Sequence, residues 1–287
     1  MSTSKKGSFV FFITLLISFM VLGSVFLVIL ILSKAKNANV KQEAIPYISE
    51  YHPSREESLA ILFLGCDNAE SSPDVAVLLY YDAPQGILYP IVLPTVTVSN
   101  VNGKTDTLQG HYDYEGMRGG VNAIKAIFGI ELDRYARLQK VGASNIVDFF
   151  GGIPYNLPYD RIIGTQTILK GEQLLDGRRV SSLLFSKNKN GSCDYKLQSE
   201  LISKLIEDGF DKNLIEKYTN FVSVIFYNCE TNLNQYDFAK RQTGFLNRLK
   251  LDSMVTTEIL VEGEYNSDFT SFHPSKQSID KIKSIFE

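Results

Sequence analysis

Asp74 is the first residue whose type and place suggest chemistry, because it stands directly before an apolar run at 75–81. A second apolar run, at 59–64, comes earlier, and the turn Gly65-Cys66-Asp67-Asn68 follows it. An aspartate at the start of a buried strand lies at the rim of a sheet, where a rigid element holds its carboxylate. There it can bind a metal ion or a phosphate-bound cation. The alternative is a turn-forming aspartate at a strand entrance, and the local sequence leaves both roles open.

The histidines and cysteines lack the spacing of a metal or redox site. No two of the three cysteines form a Cys-x-x-Cys pair, so neither a zinc knuckle nor a thioredoxin-like pair is predicted. Three unpaired thiols are favoured, although one disulfide can form if the domain lies outside the cell. The histidines are interpreted as surface residues. The residues concerned are His52, His111, His273, Cys66, Cys193 and Cys229.

The elements that position Asp74 are predicted to be strands. Three short apolar runs, at 59–64, 75–81 and 88–93, are rich in branched and aromatic residues and are bounded by turn formers. This pattern is typical of strands buried on both faces. Further strands are predicted at 134–141 and 155–157, and a strand-like run at 180–186, whereas the Gly-, Asp- and Asn-rich segment 101–120 predicts a loop.

Helices are predicted between and after these strands. Apolar residues with helical spacing occur at 121–129, 197–206, 214–227, 234–249 and 275–286, and another helix is expected to begin with Ser144 as its N-cap. Asn234 and Ser275 are predicted as N-caps of the last two helices. The alternation of strands and helices indicates an α/β fold, an α-β-α layered domain around a central, mostly buried sheet.

Size and charge restrict the function classes. The chain has 287 residues, 44% of them hydrophobic and 21% charged, which suits one large domain or two small ones. Its formal net charge of -3 argues against a protein that binds nucleic acid through a broad basic face.

The amino-terminal region predicts a membrane anchor. Residues 8–32 are almost continuously apolar and carry no charge, and this run is longer than the ~20 helical residues that span a bilayer. A cleaved signal peptide is the alternative, but its apolar part is usually only ~7–15 residues long. The predicted organisation is a cytoplasmic leader at 1–7, a transmembrane helix at 8–32, a linker at 33–57 and an extracytoplasmic domain at 58–287.

The order of motifs from about residue 58 onwards resembles the LytR-CpsA-Psr family of bacterial envelope proteins. The resemblance is carried by the segments 61–67, 73–78, 92–94, 112–116, 129–135, 147–153 and 169–177. It implies a membrane-anchored protein that transfers glycopolymers from a polyprenyl-pyrophosphate carrier to peptidoglycan, with carboxylates that hold Mg²⁺ and arginines that hold the pyrophosphate. On this resemblance Asp74 and Asp67 are the candidate phosphate- or metal-binding residues, and Asp74 is the candidate Mg²⁺ ligand.

The chain departs from the family pattern where the arginines are expected. Pro94-Thr95-Val96 lacks the expected Arg and Asp, and Thr107 aligns with an expected lysine. Phe185 and Lys187 align with a pair of arginines, so Lys187 is the residual catalytic candidate, and 192–199 has no arginine. Bidentate arginine suits phosphate oxygens better than lysine does, so the resemblance implies a divergent member with much of its catalytic set missing.

Three functions follow as hypotheses. The favoured one is a protein that binds a polyprenyl-(pyro)phosphate-linked glycopolymer or an envelope partner with little or no catalysis. The second is an active Mg²⁺-dependent phosphotransferase or hydrolase that uses Asp74 together with relocated cations, for which Lys187, Lys189, Lys196, Arg178 and Arg179 are available. The third is an unrelated α/β exporter or receptor component.

Overall fold

A computed structural model describes residues 51–188 and 191–287. The predicted leader, transmembrane helix and most of the predicted linker lie outside these residues. Among the described residues, the helices are all too short or too polar to cross a membrane.

The described residues form strands and helices in mixed order. The strands are β1 Leu59–Cys66, β2 Pro73–Asp82, β3 Ile87–Leu93, β4 Val98–Val101, β5 Lys104–Thr107, β6 Arg134–Gln139, β7 Ile153–Leu157, β8 Arg161–Ile163, β9 Gln166–Ile168, β10 Gly171–Leu175, β11 Cys229–Thr231, β12 Val255–Thr256, β13 Ile259–Leu260, β14 Gly263–Tyr265 and β15 Phe272–Pro274. The helices are α1 Leu108–Glu115, α2 Met117–Phe128, α3 Lys140–Phe150, α4 Gly177–Leu184, α5 Tyr195–Gly209, α6 Asn213–Asn228, α7 Gln235–Lys250 and α8 Lys276–Phe286.

A central sheet of mixed direction organises the described domain. Its strand order is β11-β6-β1-β2-β3, and both β12 and β13 pair with β3. β1 and β2 are antiparallel, with Leu62 opposite Leu78, whereas β1 and β6 are parallel. The parallel pair requires a crossover, which α1 and α2 contribute to. Four smaller two-stranded sheets, each described within the same residues, lie outside this sheet.

Both faces of the central sheet are covered by helices. Leu62, Leu64 and Leu78 point to one face, where they pack against residues of α1, α2 and α8. Val75 and Val77 point to the other face, where they pack against residues of α3, α4 and α5. Successive strand residues alternate between faces, so apolar runs without alternation can be buried on both sides. The predicted α/β fold with a buried central sheet is confirmed, and so are the first three strands.

Two predictions for the segment 101–120 are wrong. The segment predicted as a loop at 101–120 contains β5, α1 and the start of α2. Helix α1 has little apolar periodicity, but the Thr107 hydroxyl accepts a hydrogen bond from Gly110 N at 3.0 Å and caps it. Within α1, His111 is buried and its Nε2 lies 3.3 Å from the carbonyl oxygen of Ser99, so the surface assignment of this histidine is also wrong.

Two further predictions fail at the second helical layer. Helix α3 begins at Lys140, directly after β6, so Ser144 lies inside the helix and is not its cap. The strand-like run 180–186 is mostly helix α4, which Asp176 caps by accepting a hydrogen bond from Arg179 N at 2.8 Å. Periodicity alone cannot separate a short buried helix from a buried strand, and Val180 and Leu183 are both buried. The predicted caps Asn234 and Ser275 are confirmed.

Candidate functional site

Asp74 lies at the edge of the sheet where three strand ends meet. It is the second residue of β2. Cys66, the last residue of β1, pairs with Pro73 of β2 on one side and with Gln139, the last residue of β6, on the other. The start of β2 is therefore at the same edge as the ends of β1 and β6. Side chains that follow β1 and β6 come close to Asp74 for this reason.

Lys187 and Asp74 form an ion pair at this edge. The Lys187 Nζ lies 2.9 Å from the Asp74 Oδ1. The Asp74 side chain is only 10% exposed, whereas that of Lys187 is 51% exposed. The hydrogen bond to Asp74 raises the pKa of Lys187 above its usual value, so the ammonium stays protonated at neutral pH. The structure thus brings together two residues that the sequence named as candidates, but it uses each to neutralise the other.

A buried glutamine fixes the position of this pair. The Gln198 Nε2 donates to the carbonyl oxygen of Asp74 at 3.1 Å and to that of Leu184 at 2.7 Å. Gln198 is almost fully buried, on α5. One side chain therefore holds both the start of β2 and the end of α4, from which the chain continues to Phe185 and Lys187.

Phe185 turns a position expected to be cationic into part of the apolar interior. It is buried, and its ring lies so close to Gly65 that a Cβ at Gly65 would be 3.1 Å from the ring and 3.0 Å from the Cβ of Val75. Real Cβ atoms rarely make such short contacts, so a larger residue at position 65 would force the Phe185 ring or Val75 to shift. The ring packs against the end of β1.

Asp67 has its own lysine partner. The Lys140 Nζ lies 3.2 Å from the Asp67 Oδ1, and Lys140 is the first residue of α3. Sequence reasoning named Asp67 but missed Lys140, because the pairing depends on the parallel contact between β1 and β6 and not on a local motif. Both candidate carboxylates are therefore neutralised by ammonium groups of the same chain.

Arg137, in β6, is a buried cation that sequence reasoning also missed. Its Nη1 donates to both carboxylate oxygens of Glu230, at 3.1 and 3.0 Å. Its Nη2 donates to the carbonyl oxygen of Asn68 at 3.3 Å and to that of Ala69. A buried charge within a strand needs such partners. An arginine in a predicted strand was therefore the signal that could have identified this residue. The guanidinium ties β6 to the turn that carries Asp67.

The two cysteines near Asp74 are poor nucleophiles. Burial raises the pKa of the Cys66 thiol, and burial, followed by the charge of Asp74, raises that of Cys193 to about 12. Because the thiolate is the reactive form, neither side chain is activated at neutral pH. All three cysteines are free thiols. The Cys66 Sγ instead donates a weak hydrogen bond to the Tyr112 hydroxyl at 4.0 Å.

The residues at this edge do not fit a preformed Mg²⁺ site. Magnesium is usually held by one or two carboxylates together with waters and substrate phosphates. Here Asp74 and Asp67 each bind an ammonium group, which a metal ion would have to displace. Within residues 51–188 and 191–287, groups of three or more His, Cys, Asp or Glu side chains placed to bind a metal are absent. Binding of Mg²⁺ by Asp74 therefore stays a prediction, and these ion pairs do not favour it.

An apolar cavity is lined by chain neighbours of Asp74 and Lys187. It has a volume of about 180 Å³ and lies between the sheet and helices α3, α4, α5 and α6. Val75, which directly follows Asp74, and Phe185, two residues before Lys187, line it. Further lining residues are Val147, Phe150, Ile202 and Leu205.

A second apolar cavity continues the first towards the opposite edge of the sheet. It has a volume of about 110 Å³ and shares the lining residues Phe63, Leu79, Phe210, Phe221 and Ile225 with the first. Its far end is lined by Asp237 and Arg241. The two cavities therefore lie next to each other on the same side of the sheet.

The remaining sequence candidates are exposed helix residues or lie outside the described residues. Arg178 and Arg179 are exposed on α4, and Lys196 is exposed on α5. Lys189 lies outside the described residues. The structure therefore gathers Asp74, Lys187 and Asp67 at one edge, together with the two cations Lys140 and Arg137 that were not predicted.

Comparison with known proteins gives a family for this chain. The family model described as LytR_cpsA_psr matches residues 26–287. An uncharacterized protein of Staphylococcus aureus is 24% identical over 255 residues, which are 80% of this chain and 61% of that protein. The chain thus spans less than two thirds of this relative's length.

Two further proteins resemble the chain. The polyisoprenyl-teichoic acid–peptidoglycan teichoic acid transferase TagU of Bacillus cereus is 22% identical over 205 residues, 69% of this chain and 67% of the transferase. A crystal structure of a protein from Eubacterium siraeum described as a transcription regulator has a TM-score of 0.72 at 17% identity, and the match covers 82% of this chain and 93% of that one. At this identity the structural likeness shows the fold alone.

Proposed function

The chain belongs to the LytR-CpsA-Psr family, and on this premise we propose that it binds a polyprenyl-(pyro)phosphate-linked glycopolymer in the bacterial cell envelope and transfers little or none of it. The similarity to TagU, whose name gives polyisoprenyl-linked teichoic acid and peptidoglycan as its substrates, supports the choice of ligand. The apolar run at 8–32 supports a single-pass membrane anchor with the amino terminus inside and the domain outside.

The observation that carries this proposal is the pair of neighbouring apolar cavities, the first of which is lined by Val75 and Phe185, close to Asp74 and Lys187 in the chain. A polyprenyl chain gains roughly 0.8 kcal/mol for each methylene-sized group that leaves water, so an apolar cavity is a favourable place for it. A phosphate attached to that chain would then lie near the lysines at the cavity's end. Lys187 and Lys140 can donate to phosphate oxygens from their ammonium groups, although each ammonium group also forms an ion pair with an aspartate.

The cations at this edge already have partners in the same chain, and this favours weak transfer of the glycopolymer. Phosphoryl transfer is accelerated by positioned cations that stabilise the charge developing in the transition state. Arg137 donates to Glu230 and to two carbonyl oxygens, and Phe185 is buried where an arginine is expected. Lys187 and Lys140 are each paired with a carboxylate. The loss of one positioned group commonly costs ~10²–10³ in rate, so the loss of several favours binding over catalysis.

A working transferase is the second candidate. The observation in its favour is that two carboxylates and two lysines lie at one sheet edge next to a cavity suited to the lipid. In that case the lysines would leave their aspartates when a pyrophosphate binds. The remaining alternative is that a protein partner in the envelope, and not a glycopolymer, binds at the sheet edge that carries Asp74.

The test compares binding with turnover. The full-length chain in detergent is incubated with a fluorescent polyprenyl-pyrophosphate analogue, with and without Mg²⁺, and both binding and the release of the lipid phosphate are measured. We expect binding in both conditions and no product above background. Turnover that disappears in Asp74→Ala would overturn the non-catalytic proposal and establish the transferase.

A nucleic-acid-binding role has little support, despite the description of the Eubacterium siraeum protein as a transcription regulator. The formal net charge is -3, and proteins that bind nucleic acid through phosphates usually carry a marked basic excess.

A further inference from the structure

Some apolar side chains line both of the neighbouring apolar cavities. They come from two layers of the domain: strands β1 and β2 on one side, and helix α6 with the residue that follows α5 on the other. These shared side chains are Phe63, Leu79, Phe210, Phe221 and Ile225. A side chain that faces two neighbouring cavities lies at the boundary between them. The shared residues therefore mark where the first cavity, of about 180 Å³, meets the second, of about 110 Å³.

The sheet supplies the fixed half of this boundary. Phe63 on β1 is opposite Val77 on β2, and Leu79 on β2 is opposite Ile61 on β1. Side chains two positions apart in a strand point to the same face, so Phe63 and Leu79 are diagonal neighbours on one face of the sheet. β1 and β2 each pair with a strand on both sides. We therefore expect this half of the boundary to stay in place when a ligand binds.

Two aromatic rings supply the other half of the boundary. The ring centroids of Phe210 and Phe221 are 5.6 Å apart and the ring planes are at 80°, an edge-to-face contact. Phe210 makes a second edge-to-face contact with Phe245, at 5.6 Å, and the Phe221 ring lies 5.9 Å from that of Phe150. Edge-to-face contacts stabilise one arrangement of the rings beyond the area that they bury. A chain that passes between the cavities has to break these contacts.

A polar contact closes the far end of the second cavity. Arg241 lines this end, and its side chain is only 12% exposed. Its Nη1 donates to the carbonyl oxygen of Asp237 at 2.8 Å, and its Nη2 donates to that of Ser58 at 2.9 Å. A hydrocarbon chain cannot replace these hydrogen bonds, so displacing the guanidinium is unfavourable. The second cavity therefore has an outer limit at Arg241 and an inner limit at the ring pair.

The ring pair makes affinity depend on the length of an apolar ligand. Each isoprene unit adds five carbon atoms, and each carbon that leaves water strengthens binding. A chain that ends in the first cavity gains this burial without disturbing the rings. A longer chain reaches the second cavity only after Phe210 and Phe221 have lost their mutual contact, and otherwise its end stays in water. The gain per added unit is therefore expected to stop at the ring pair.

We propose that Phe210 and Phe221 are specificity-determining residues that limit the length of the prenyl chain bound by this protein. The proposal rests on the proposed function, because it takes a polyprenyl chain as the occupant of the first cavity. It adds a restriction imposed by two side chains: the first cavity binds a chain up to a set length, and the rings exclude the remainder from the second cavity.

The probes form a series in which chain length is the variable. Geranyl, farnesyl, geranylgeranyl and geranylfarnesyl diphosphates increase in length by one isoprene unit at each step. The corresponding alcohols have the same chains without the phosphates. Binding to the full-length chain in detergent is measured by fluorescence competition at one detergent concentration. Each probe then enters micelles to the same extent for every variant, so variants can be compared at each length.

Ring variants and a matched control make the experiment specific. Phe221→Leu and Phe210→Leu each remove a ring and keep an apolar side chain, which perturbs the fold less than truncation to alanine. Phe226→Leu is the control, because Phe226 is on the same helix α6, packs against the Phe238 ring at 5.5 Å and lines neither cavity. Leu59→Phe, added to Phe221→Leu, fills the second cavity, which Leu59 lines. Urea denaturation checks that each variant is folded.

We expect the affinity of the wild type and of Phe226→Leu to rise with chain length and then to stop rising within the series. In Phe221→Leu and Phe210→Leu the next longer probe should bind about tenfold more tightly, and Leu59→Phe should cancel this gain. A wild-type affinity that rises through the whole series would overturn the proposal. The same length dependence in the wild type and in both ring variants would overturn it as well.

Failure of the proposed function gives a different result. That function places the lipid phosphate near Lys187 and Lys140, so each diphosphate should bind more tightly than its alcohol. Equal affinity for an alcohol and its diphosphate would contradict the proposed function and leave the length limit standing. Absence of binding by every probe would overturn both.

Discussion

The pairing of Asp74 with Lys187 decides what chemistry the site can do. A carboxylate that accepts an ammonium at 2.9 Å is not available to a metal without first losing that partner. The same holds for Asp67 and Lys140, 3.2 Å apart. At the scale of single residues, the lysines of this chain supply the positive charge that a divalent cation would otherwise bring to these carboxylates.

We expect Lys187→Met to make lipid binding depend on a metal ion. The wild-type chain should bind farnesyl pyrophosphate equally well with EDTA and with Mg²⁺, because lysine side chains, and not a metal ion, supply the positive charge. Without Lys187, the nearly buried Asp74 carboxylate repels the pyrophosphate, so affinity in EDTA should fall about tenfold. Added Mg²⁺ should restore part of the loss. Fluorescence titration with Lys250→Met as the control tests this, and wild-type binding that EDTA abolishes would contradict it.

The half-buried thiols of Cys193 and Cys229 predict a loss of stability at alkaline pH. Burial raises the pKa of Cys193 and of Cys229 to about 12, whereas a thiol in the unfolded chain ionises near ~8.5. Above pH ~8.5 the unfolded state therefore binds fewer protons than the folded state, and the free energy of unfolding falls as pH rises. Urea midpoints at pH 8 and 9.5 should decrease more in the wild type than in the Cys193→Ala/Cys229→Ala double variant. Parallel decreases would show that the thiols are not responsible.

At the scale of elements, Asp237 joins helix α7 to strand β6. Its carboxylate oxygens accept hydrogen bonds from the Arg134 Nε at 2.7 Å and Nη2 at 2.8 Å. It also completes the capping box at the start of α7, where Asn234 N donates to the Asp237 Oδ2 at 2.9 Å. A buried group with two such roles anchors its helix.

Asp237→Ala should lower the free energy of unfolding by about 3 kcal/mol, because it leaves Arg134 without its carboxylate partner and removes the Asp237 side chain from the capping box. Glu207→Ala, in an exposed ion pair of α5 with Lys204, is the control and should change stability by less than about 0.5 kcal/mol. Urea denaturation of both variants measures the difference. Equal effects would mean that the Arg134 pair contributes no more than an exposed one.

The cavity between the sheet and the second helical layer can be tested by filling it. Leu205, on α5, lines the cavity, and Leu205→Trp would occupy space that the lipid chain needs. We expect farnesyl pyrophosphate binding to weaken about tenfold while the circular dichroism spectrum is unchanged. Leu251→Trp, at a residue exposed after α7, is the matched control. Unimpaired binding by Leu205→Trp would place the lipid elsewhere.

The sequence predicts those elements whose signal is local. β1, β2 and β3 follow from apolar runs bounded by turn residues, and the caps Asn234 and Ser275 follow from residue type. Helix α4 could not be predicted, because a short buried helix has the same composition as a buried strand. Lys140 could not be assigned to the site for a different reason: it comes near Asp67 through the parallel pairing of β1 with β6, strands that are far apart in the chain.

At the scale of the whole molecule, the predicted anchor at 8–32 remains to be tested. The full-length chain should sediment with membranes and resist extraction by high salt or carbonate, because ~20 apolar helical residues hold a protein in the bilayer. A variant with Val21→Arg and Leu27→Arg should sediment less, since arginine near the middle of such a helix costs roughly 2.5–3.5 kcal/mol to insert. Membrane association that survives both arginines would refute the anchor.

The single amide of Gln198 has a consequence for how ligands influence one another. It donates to the carbonyl oxygens of Asp74 and Leu184, and its helix α5 carries Ile202, which lines the apolar cavity. A shift of α5 caused by a lipid in the cavity would therefore be transmitted to the Asp74–Lys187 pair. If the lipid and a phosphate at this pair favour the same position of α5, each raises the affinity for the other by the same factor, since such coupling is reciprocal.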